Sequence, residues 1–220
     1  MSTQQARRAN SLQRITEAAL ELFETKGYFQ TTLEEIAAGA GLSKGGLLHY
    51  FRTKQDLAMR LYDDLHKDLA ERFLEIMRNE PGARERIHEV ARRFFEWVES
   101  SPYGARFMLG FDMAWVTEDG KPPKLESTPG RVFVQMVSEG QAAGEIKEGD
   151  PELLIRSFEM ARQLALEWAA GWTEIDPDDV ADDLAEMIWC AIRAEGTARG
   201  ELPSGTERSD EKGGDNARRE

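Results

Sequence analysis

The sequence predicts an all-α chain, with a compact three-helix unit at the N-terminus and a larger helical domain behind it. Three observations carry that reading. Apolar residues recur at spacings of three and four almost throughout, as on one face of a helix. No segment sustains period-two alternation of β-branched residues. Capping residues and Gly or Pro breakers divide the chain at regular intervals.

Leu12, Ile15, Ala19, Leu22 and Phe23 mark the first helix, which stops at Lys26-Gly27, a cation followed by a residue suited to a left-handed C-cap. Thr32 opens the second as a hydroxyl cap with Glu35 three residues on. Ile36, Ala37 and Ala40 follow before Gly41. Ser43 caps a third short helix reaching Tyr50, and Thr53 with Asp56 starts a long fourth one. Its stripe runs Leu57, Leu61, Leu65, Leu69, Phe73 and Ile76, to about residue 79.

Beyond Pro81-Gly82, the spacing of Ile87, Val90, Ala91, Phe94, Trp97 and Val98 gives a helix closed before Pro102. Phe107 to Val116 is apolar nearly all round and reads as a central buried helix. Residues 117–129 are a loop by composition, and Val132, Phe133, Met136 and Val137 give a further helix that dissolves at 140–149. Two final helices start near Asp150-Pro151 and Asp176-Pro177, in the cap-then-proline order of a helix start. From about Thr197 the tail has almost no large apolar residue to offset its ordering entropy, so 197–220 is expected to be disordered. The count comes to about nine helices, divided into domains at 1–54 and 55–196.

Two hundred and twenty residues suffice for a buried core without staples, and the lone Cys190 excludes an intramolecular disulfide or a cysteine-rich zinc site. No run approaches the roughly 18 apolar residues of a membrane span, and the N-terminus lacks a signal-like apolar stretch. A soluble, cytoplasmic protein with no membrane contact is expected. The net charge of −13 argues at first against a nucleic-acid partner. The average hides a split: residues 1–60 hold eight Lys/Arg against six Asp/Glu, a formal +2, which leaves −15 for the remaining 160. Such asymmetry directs attention to the N-terminus.

Residues 32–50, TLEEIAAGAGLSKGGLLHY, join two short helices through a turn at Gly41. Two helices cross closely only over a small side chain such as Ala37, and the turn favours a residue tolerant of positive φ. Leu42 and Leu47 then pin the second helix to the first. Lys44, Gly45, Gly46, Leu48, His49 and Tyr50 are left for an outward face. This is the pattern of a helix-turn-helix whose helix from Ser43 enters a major groove. Two glycines near a helix start cost about 1 kcal/mol each relative to alanine, a penalty accounted for if backbone must approach another molecule closely. Lys44, His49 and Tyr50 suit base edges or phosphates, and Lys54 a phosphate.

The stretch LQRITEAALELFETKGYFQTTLEEIAAGAGLSKGGLLHYFRTKQDL, residues 12–57, resembles the DNA-binding head of the tetracycline-repressor (TetR) family. The resemblance implies that Thr32 caps a helix pointing at phosphate, that Lys44, Gly45, Gly46 and His49 face the groove, and that Tyr50 and Lys54 hold the DNA backbone. Gly46 stands where the family often has threonine, and Leu48 where it often has an aromatic residue. The implied fold is a three-helix helix-turn-helix DNA-binding domain followed by a larger helical ligand-binding and dimerisation domain. The implied function is a ligand-responsive repressor that binds a palindromic double-stranded DNA operator as a homodimer and is released by a small-molecule effector.

The helices at about 151–170 and 177–194 carry more apolar residues than one buried face needs, and are the expected dimer surface. Phe94, Trp97, Phe107, Met108, Phe111, Trp115, Phe133, Met136 and Trp168 are candidates for an apolar pocket, with most such residues expected to be ordinary core. Asp112 is the odd carboxylate among them, able to meet a cationic ligand or to pair with Arg106, with structural pairing or simple exposure the preferred expectation. No cofactor, metal or enzymatic activity is expected. Two rival readings remain: a dimeric DNA-binding regulator with no small-molecule ligand, and a helical di-metal carboxylate protein built on Asp63-x-x-His66 and Glu85-x-x-His88.

Overall fold

The computed structural model describes residues 3–110 and 128–196. Phe111, Asp112 and Trp115, and the whole tail 197–220, lie outside the described residues. Ten α-helices and one 3-10 turn occur among the described residues: α1 Thr3–Thr25, α2 Leu33–Gly39, α3 Lys44–Leu48, α4 Lys54–Asn79, α5 Ala83–Ser100, α6 Pro102–Gly110, α7 Pro129–Ala142, α8 Pro151–Leu154, the 3-10 turn Ile155–Phe158, α9 Glu159–Ala169 and α10 Pro177–Ile192. The only pairing of extended backbone there is an isolated antiparallel bridge between Ile146 and Arg193. No helix among the described residues is long and apolar enough to cross a membrane.

The starts follow the expected chemistry. Thr32, Ser43 and Thr53 cap α2, α3 and α4, each accepting a backbone N–H from three residues on, and Thr32 and Thr53 close reciprocal capping boxes with Glu35 and Asp56. Asp150 and Asp176 cap α8 and α10 with proline at the first helical position.

Three elements differ from expectation. The first helix begins at Thr3, well before its apolar stripe. The sixth begins at Pro102 rather than near residue 107. The segment 151–170 is not one helix, because it tightens into the 3-10 turn before α9. The reason is packing: Phe158 turns inward and stacks on Phe133 at 4.4 Å, Ala161 and Ala165 follow it into the core, and Leu153 is left 68% exposed.

The buried side chains form two cores. The head core joins Ile15, Ala19 and Phe23 of α1 to Ile36, Ala37, Leu47, and the start of α4 at Leu57, Ala58 and Leu61, with Phe107 of α6 reaching in. The body core runs from Leu69, Phe73 and Ile76 of α4 through α5 and α7 to α10. Tyr62 and Leu65 pack against both. The fourth helix, about 39 Å long at 1.5 Å per residue, is therefore continuous from the head into the body.

Candidate nucleic-acid interface and internal cavity

The head presents α3 on a short, tightly fixed pedestal. Ala37 and Ala40 are buried at the crossing, and Gly41 takes φ +65°. Its N–H donates to the Ala38 carbonyl at 3.0 Å while Leu42 N–H donates to Ala37 at 2.8 Å. Ser43 Oγ then accepts from Gly46 N–H at 3.1 Å. Leu47 is the one fully buried residue of α3. Lys44, Gly45, Leu48 and His49 are exposed around it, and Gly46 and Tyr50 are half-buried. The helix closes at Leu48, two residues shorter than expected, so His49 is its C-cap and Tyr50 packs against the head core.

Nothing among the described residues demands glycine at 45 or 46. A Cβ on Gly45 comes no closer than 4.0 Å to another atom, and one on Gly46 would sit in ordinary contact with Ser43 Oγ at 3.4 Å. The space these glycines leave open lies on the outer side.

The two lysines behave differently. Lys44 is ion-paired with Glu34 of α2, both more than half exposed, and this hydrogen bond lowers the Glu34 carboxyl below its ordinary range. Lys54 turns inward. Its ammonium donates to the carbonyls of Tyr28 at 2.5 Å, Thr31 at 2.8 Å and Phe29 at 3.3 Å, and lies 4.4 Å from the centre of the Tyr28 ring. Desolvation lowers its pKa. Three donors meet three acceptors, so in this structure Lys54 holds the α1–α2 loop rather than projecting toward a phosphate. That loop carries Phe29, 66% exposed, which sequence patterning passed over. Behind it, Lys26 pairs with Glu35, and the Lys26 and Thr32 hydrogen bonds hold the Glu35 carboxyl at about 2.

A second feature is a cavity of about 660 Å³ in the body, walled by Tyr62, His66, Leu69 and Phe73 of α4, Val90, Ala91 and Phe94 of α5, Met108 and Leu109 of α6, Phe133 and Val134 of α7, and Ile155, Phe158, Ala161 and Ile188. Its polar lining includes Arg131, Arg156 and Arg162 with Glu152 and Glu159. Arg162 donates to Glu159 at 2.7 Å and to the Leu109 carbonyl at 3.0 Å. Arg156 is exposed and holds no ion pair among the described residues. His66 Nδ1 lies 2.9 Å from the Tyr62 carbonyl, which makes Nδ1 the donor and Nε2 the acceptor, and burial lowers its pKa.

Of the described pocket candidates, Phe94, Met108 and Phe133 line the cavity. The others are placed elsewhere. Trp97 is buried and donates its indole N–H to Asp68 at 3.1 Å. Met136 is fully buried core, and Trp168 packs on Phe95 at 5.9 Å. Phe107 stacks on Phe23 at 5.6 Å, tying α6 to α1. Arg106 beside it is paired with Glu24 of α1 at 2.8 Å and donates to the Ala169 carbonyl, a link between head and body, while a pairing with Asp112 lies outside the described residues. The arginines, Tyr62 and His66 had no signal in sequence, because their convergence depends on how α4, α7 and the 3-10 turn pack.

The di-metal spacing does not assemble. Asp63 is bound to Lys67 at 2.6 Å, and His88 sits between Asp182 and Glu186 of α10 at 3.4 Å from each. No group of three potential ligands occurs among the described residues.

Residues 15–61 match the family model of bacterial regulatory proteins, tetR family. The chain is 25% identical over 182 residues to the fatty acid metabolism regulator protein of Bacillus subtilis, covering 81% of this chain and 93% of that one. It is 30% identical over 101 residues to the transcriptional activator FasR of Mycolicibacterium smegmatis, 46% of this chain and 45% of the other. Among solved structures, the transcriptional regulator FadR from Bacillus subtilis in complex with stearoyl-CoA superposes with a TM-score of 0.69 at 21% identity, covering 82% and 98% of the two chains. These relatives are transcription regulators, not enzymes.

Two outcomes follow from the head's polar contacts. Lys54→Met leaves three carbonyls short of a donor and is expected to cost about 1–3 kcal/mol of head stability in the absence of any DNA, read as a lower urea midpoint. Because the folded Glu35 carboxyl, at about 2, lies below its ordinary 4.5, the cap's contribution is fully present above pH 4.5 and is lost as pH falls through about 2. Wild type and Glu35→Gln should therefore differ in far-UV helicity near neutral pH and converge toward pH 2.

Proposed function

We propose that this chain, whose residues 15–61 match the family model of bacterial regulatory proteins, tetR family, is a homodimeric repressor that binds a palindromic operator and is released by an amphipathic small molecule. The observation that carries the DNA half is the face of α3: one buried anchor, Leu47, with Lys44, Gly45, Leu48 and His49 all turned outward. A helix so mounted places its N-terminal residues at base edges. Open space above Gly45 and Gly46 lets the backbone come close to the groove. Lys44 exchanges Glu34 for a guanine edge or a phosphate, Thr32 and Tyr50 meet backbone phosphates, and Lys54 supports them by fixing the loop below. Under this reading the functional division is near 54/55, with α4 shared by both parts, and the site of action is the cytoplasm.

Dimerisation through 151–170 and 177–194 is supported by where apolar surface remains uncovered. Outside the head, Leu153, Met160, Trp172 and Met187 are exposed on or between these segments, and among the described residues only Tyr103 of α6 is a large exposed apolar side chain elsewhere in the body. A two-fold copy seated there gives two reading heads, as a palindrome requires.

For the effector, the cavity is apolar on most walls, with a formal excess of one positive charge among Arg131, Arg156, Arg162, Glu152 and Glu159. Such a lining suits an apolar chain with an anionic end, such as a long-chain acyl-CoA. The fatty-acid relative and the solved complex with stearoyl-CoA support the same class. The cavity touches α4 and α6, the two helices that reach the head, so filling it biases their packing and, by linkage, operator affinity.

Selection of bound genomic fragments should recover a two-fold motif. On that duplex, Lys44→Ala and Tyr50→Ala should each weaken binding by roughly tenfold, about 1.4 kcal/mol, with dimer and helicity intact. A chain that selects no motif, or variants that bind as wild type does, would overturn the reading. Stearoyl-CoA at saturating concentration should raise the melting temperature and release the duplex. Arg156→Glu should blunt both effects while leaving ligand-free operator binding unchanged. A melting temperature and operator affinity that ignore acyl-CoA overturn that effector class, and a chain that also ignores a screen of other hydrophobic and cationic compounds is the regulator without a ligand.

A further inference from the structure

The first half of α1 is not needed to build the head. Burial on this helix begins at Ile15, and residues 4–10 are exposed on every side. Their largest apolar side chain is alanine, so the segment has nothing with which to dock on another protein by hydrophobic burial. Its charge is one-sided: Arg7, Arg8 and Arg14 precede the first acid, Glu17. None of these three guanidinium groups holds an ion pair among the described residues. By contrast Arg84, Arg86, Arg92 and Arg106 of the body each hold a carboxylate.

The geometry says where this basic segment points. A Cβ built on Gly41 would lie 3.3 Å from the Arg14 guanidinium, so Arg14 covers the turn from which α3 departs. Arg7 precedes it by seven residues, which at about 100° per residue returns to within roughly 20° of the same face, about 10 Å further along the axis. Arg8 stands one step around. A line of positive charge thus continues from the reading helix, over the turn and outward along α1.

We propose that the N-terminal half of α1 is a second DNA-binding element, a basic helical rail that sets Arg7 and Arg8 on the phosphates of the duplex flanking the half-site read by α3. The inference rests on the reading of α3 as the groove helix. Two observations select duplex DNA as the occupant: the line is continuous with the Lys44 face, and the segment offers charge without apolar surface, the complement of a phosphate backbone. Ten ångströms of rail spans about three phosphates at 3.4 Å per strand. Each subunit therefore gains about three base pairs beyond its half-site, without sequence preference.

The test uses the full-length dimer and the palindrome recovered by fragment selection, in two lengths: ending flush with the half-sites, and extended by about six base pairs on each side. Wild type should bind the extended duplex on the order of tenfold more tightly. Arg7→Ala/Arg8→Ala should lose that gain, while Arg7→Lys/Arg8→Lys keeps most of it. On the extended duplex, the slope of log affinity against log salt should become shallower by about 0.9 for each phosphate that the variant no longer neutralises. Circular dichroism and sedimentation confirm that the variants keep their helicity and dimer state. A double-alanine variant that matches wild type in affinity and salt slope overturns the rail and leaves the α3 reading intact. A wild-type chain that ignores every duplex overturns both.

Discussion

A single helix, α4, is rooted in two separate hydrophobic cores, and neither end can be repacked without disturbing the other. Leu57, Ala58 and Leu61 are buried in the head, Leu69 and Phe73 in the body, and Tyr62 and Leu65 touch both. Each fully buried leucine or phenylalanine contributes about 1.5–3 kcal/mol, so the helix is held at both ends by more than thermal energy can loosen. The cap at Thr53 fixes where the rod begins. On the proposed mechanism, a rod so anchored passes a change of packing in the body to the head, because close-packed cores shift between discrete arrangements rather than deforming smoothly.

Charge divides the molecule along the same line. The body is strongly acidic, and its arginines are largely spent on its own carboxylates, as in Arg84 with Glu186 on α10 or Arg86 with Glu139 on α7. The head leaves Arg7, Arg8, Arg14 and Arg52 without ion pairs among the described residues. An acidic body repels a polyanion and so orients the encounter, leaving the head as the favourable approach. Net charge alone hides this, since −13 describes neither part.

What was legible in the sequence was local. Thr32 with Glu35, Ser43, Thr53 with Asp56 and Gly41 are signals in which one residue acts on backbone three or four positions away, and each appears where its chemistry placed it. Leu47 as anchor followed from the same short-range spacing. The cavity was not legible to that degree. Phe94, Met108 and Phe133 line it, but Trp97, Met136 and Trp168 are equally apolar and face the core, a difference set by how helices far apart in sequence rotate against each other. The inward turn of Lys54 escaped for a related reason. Its three acceptors lie in a loop 23 to 26 residues earlier, and no periodicity reports on a pairing of that kind.

On the proposed reading, the junction between head and body sets how strongly a filled cavity acts on operator affinity. It consists of α4 and of the α6 contacts, where Phe107 stacks on Phe23 and Arg106 joins Glu24 of α1 to the Ala169 carbonyl at the end of α9. A hundredfold loss of operator affinity requires about 2.7 kcal/mol of difference in effector binding between the two head arrangements. At about 25 cal/mol per Å², that equals roughly 110 Å² of apolar ligand surface buried in one arrangement and not in the other. If the proposed acyl-CoA is the effector, most of its chain need contribute nothing to such a shift. On the proposed reading, the part against Tyr62, His66, Leu69 and Phe73 of α4 and against Met108 and Leu109 of α6 bears on the two helices that the body shares with the head. A ligand filling only the distant end of the cavity, against Val90 and Ile188, binds both arrangements alike and, however tightly it binds, shifts nothing.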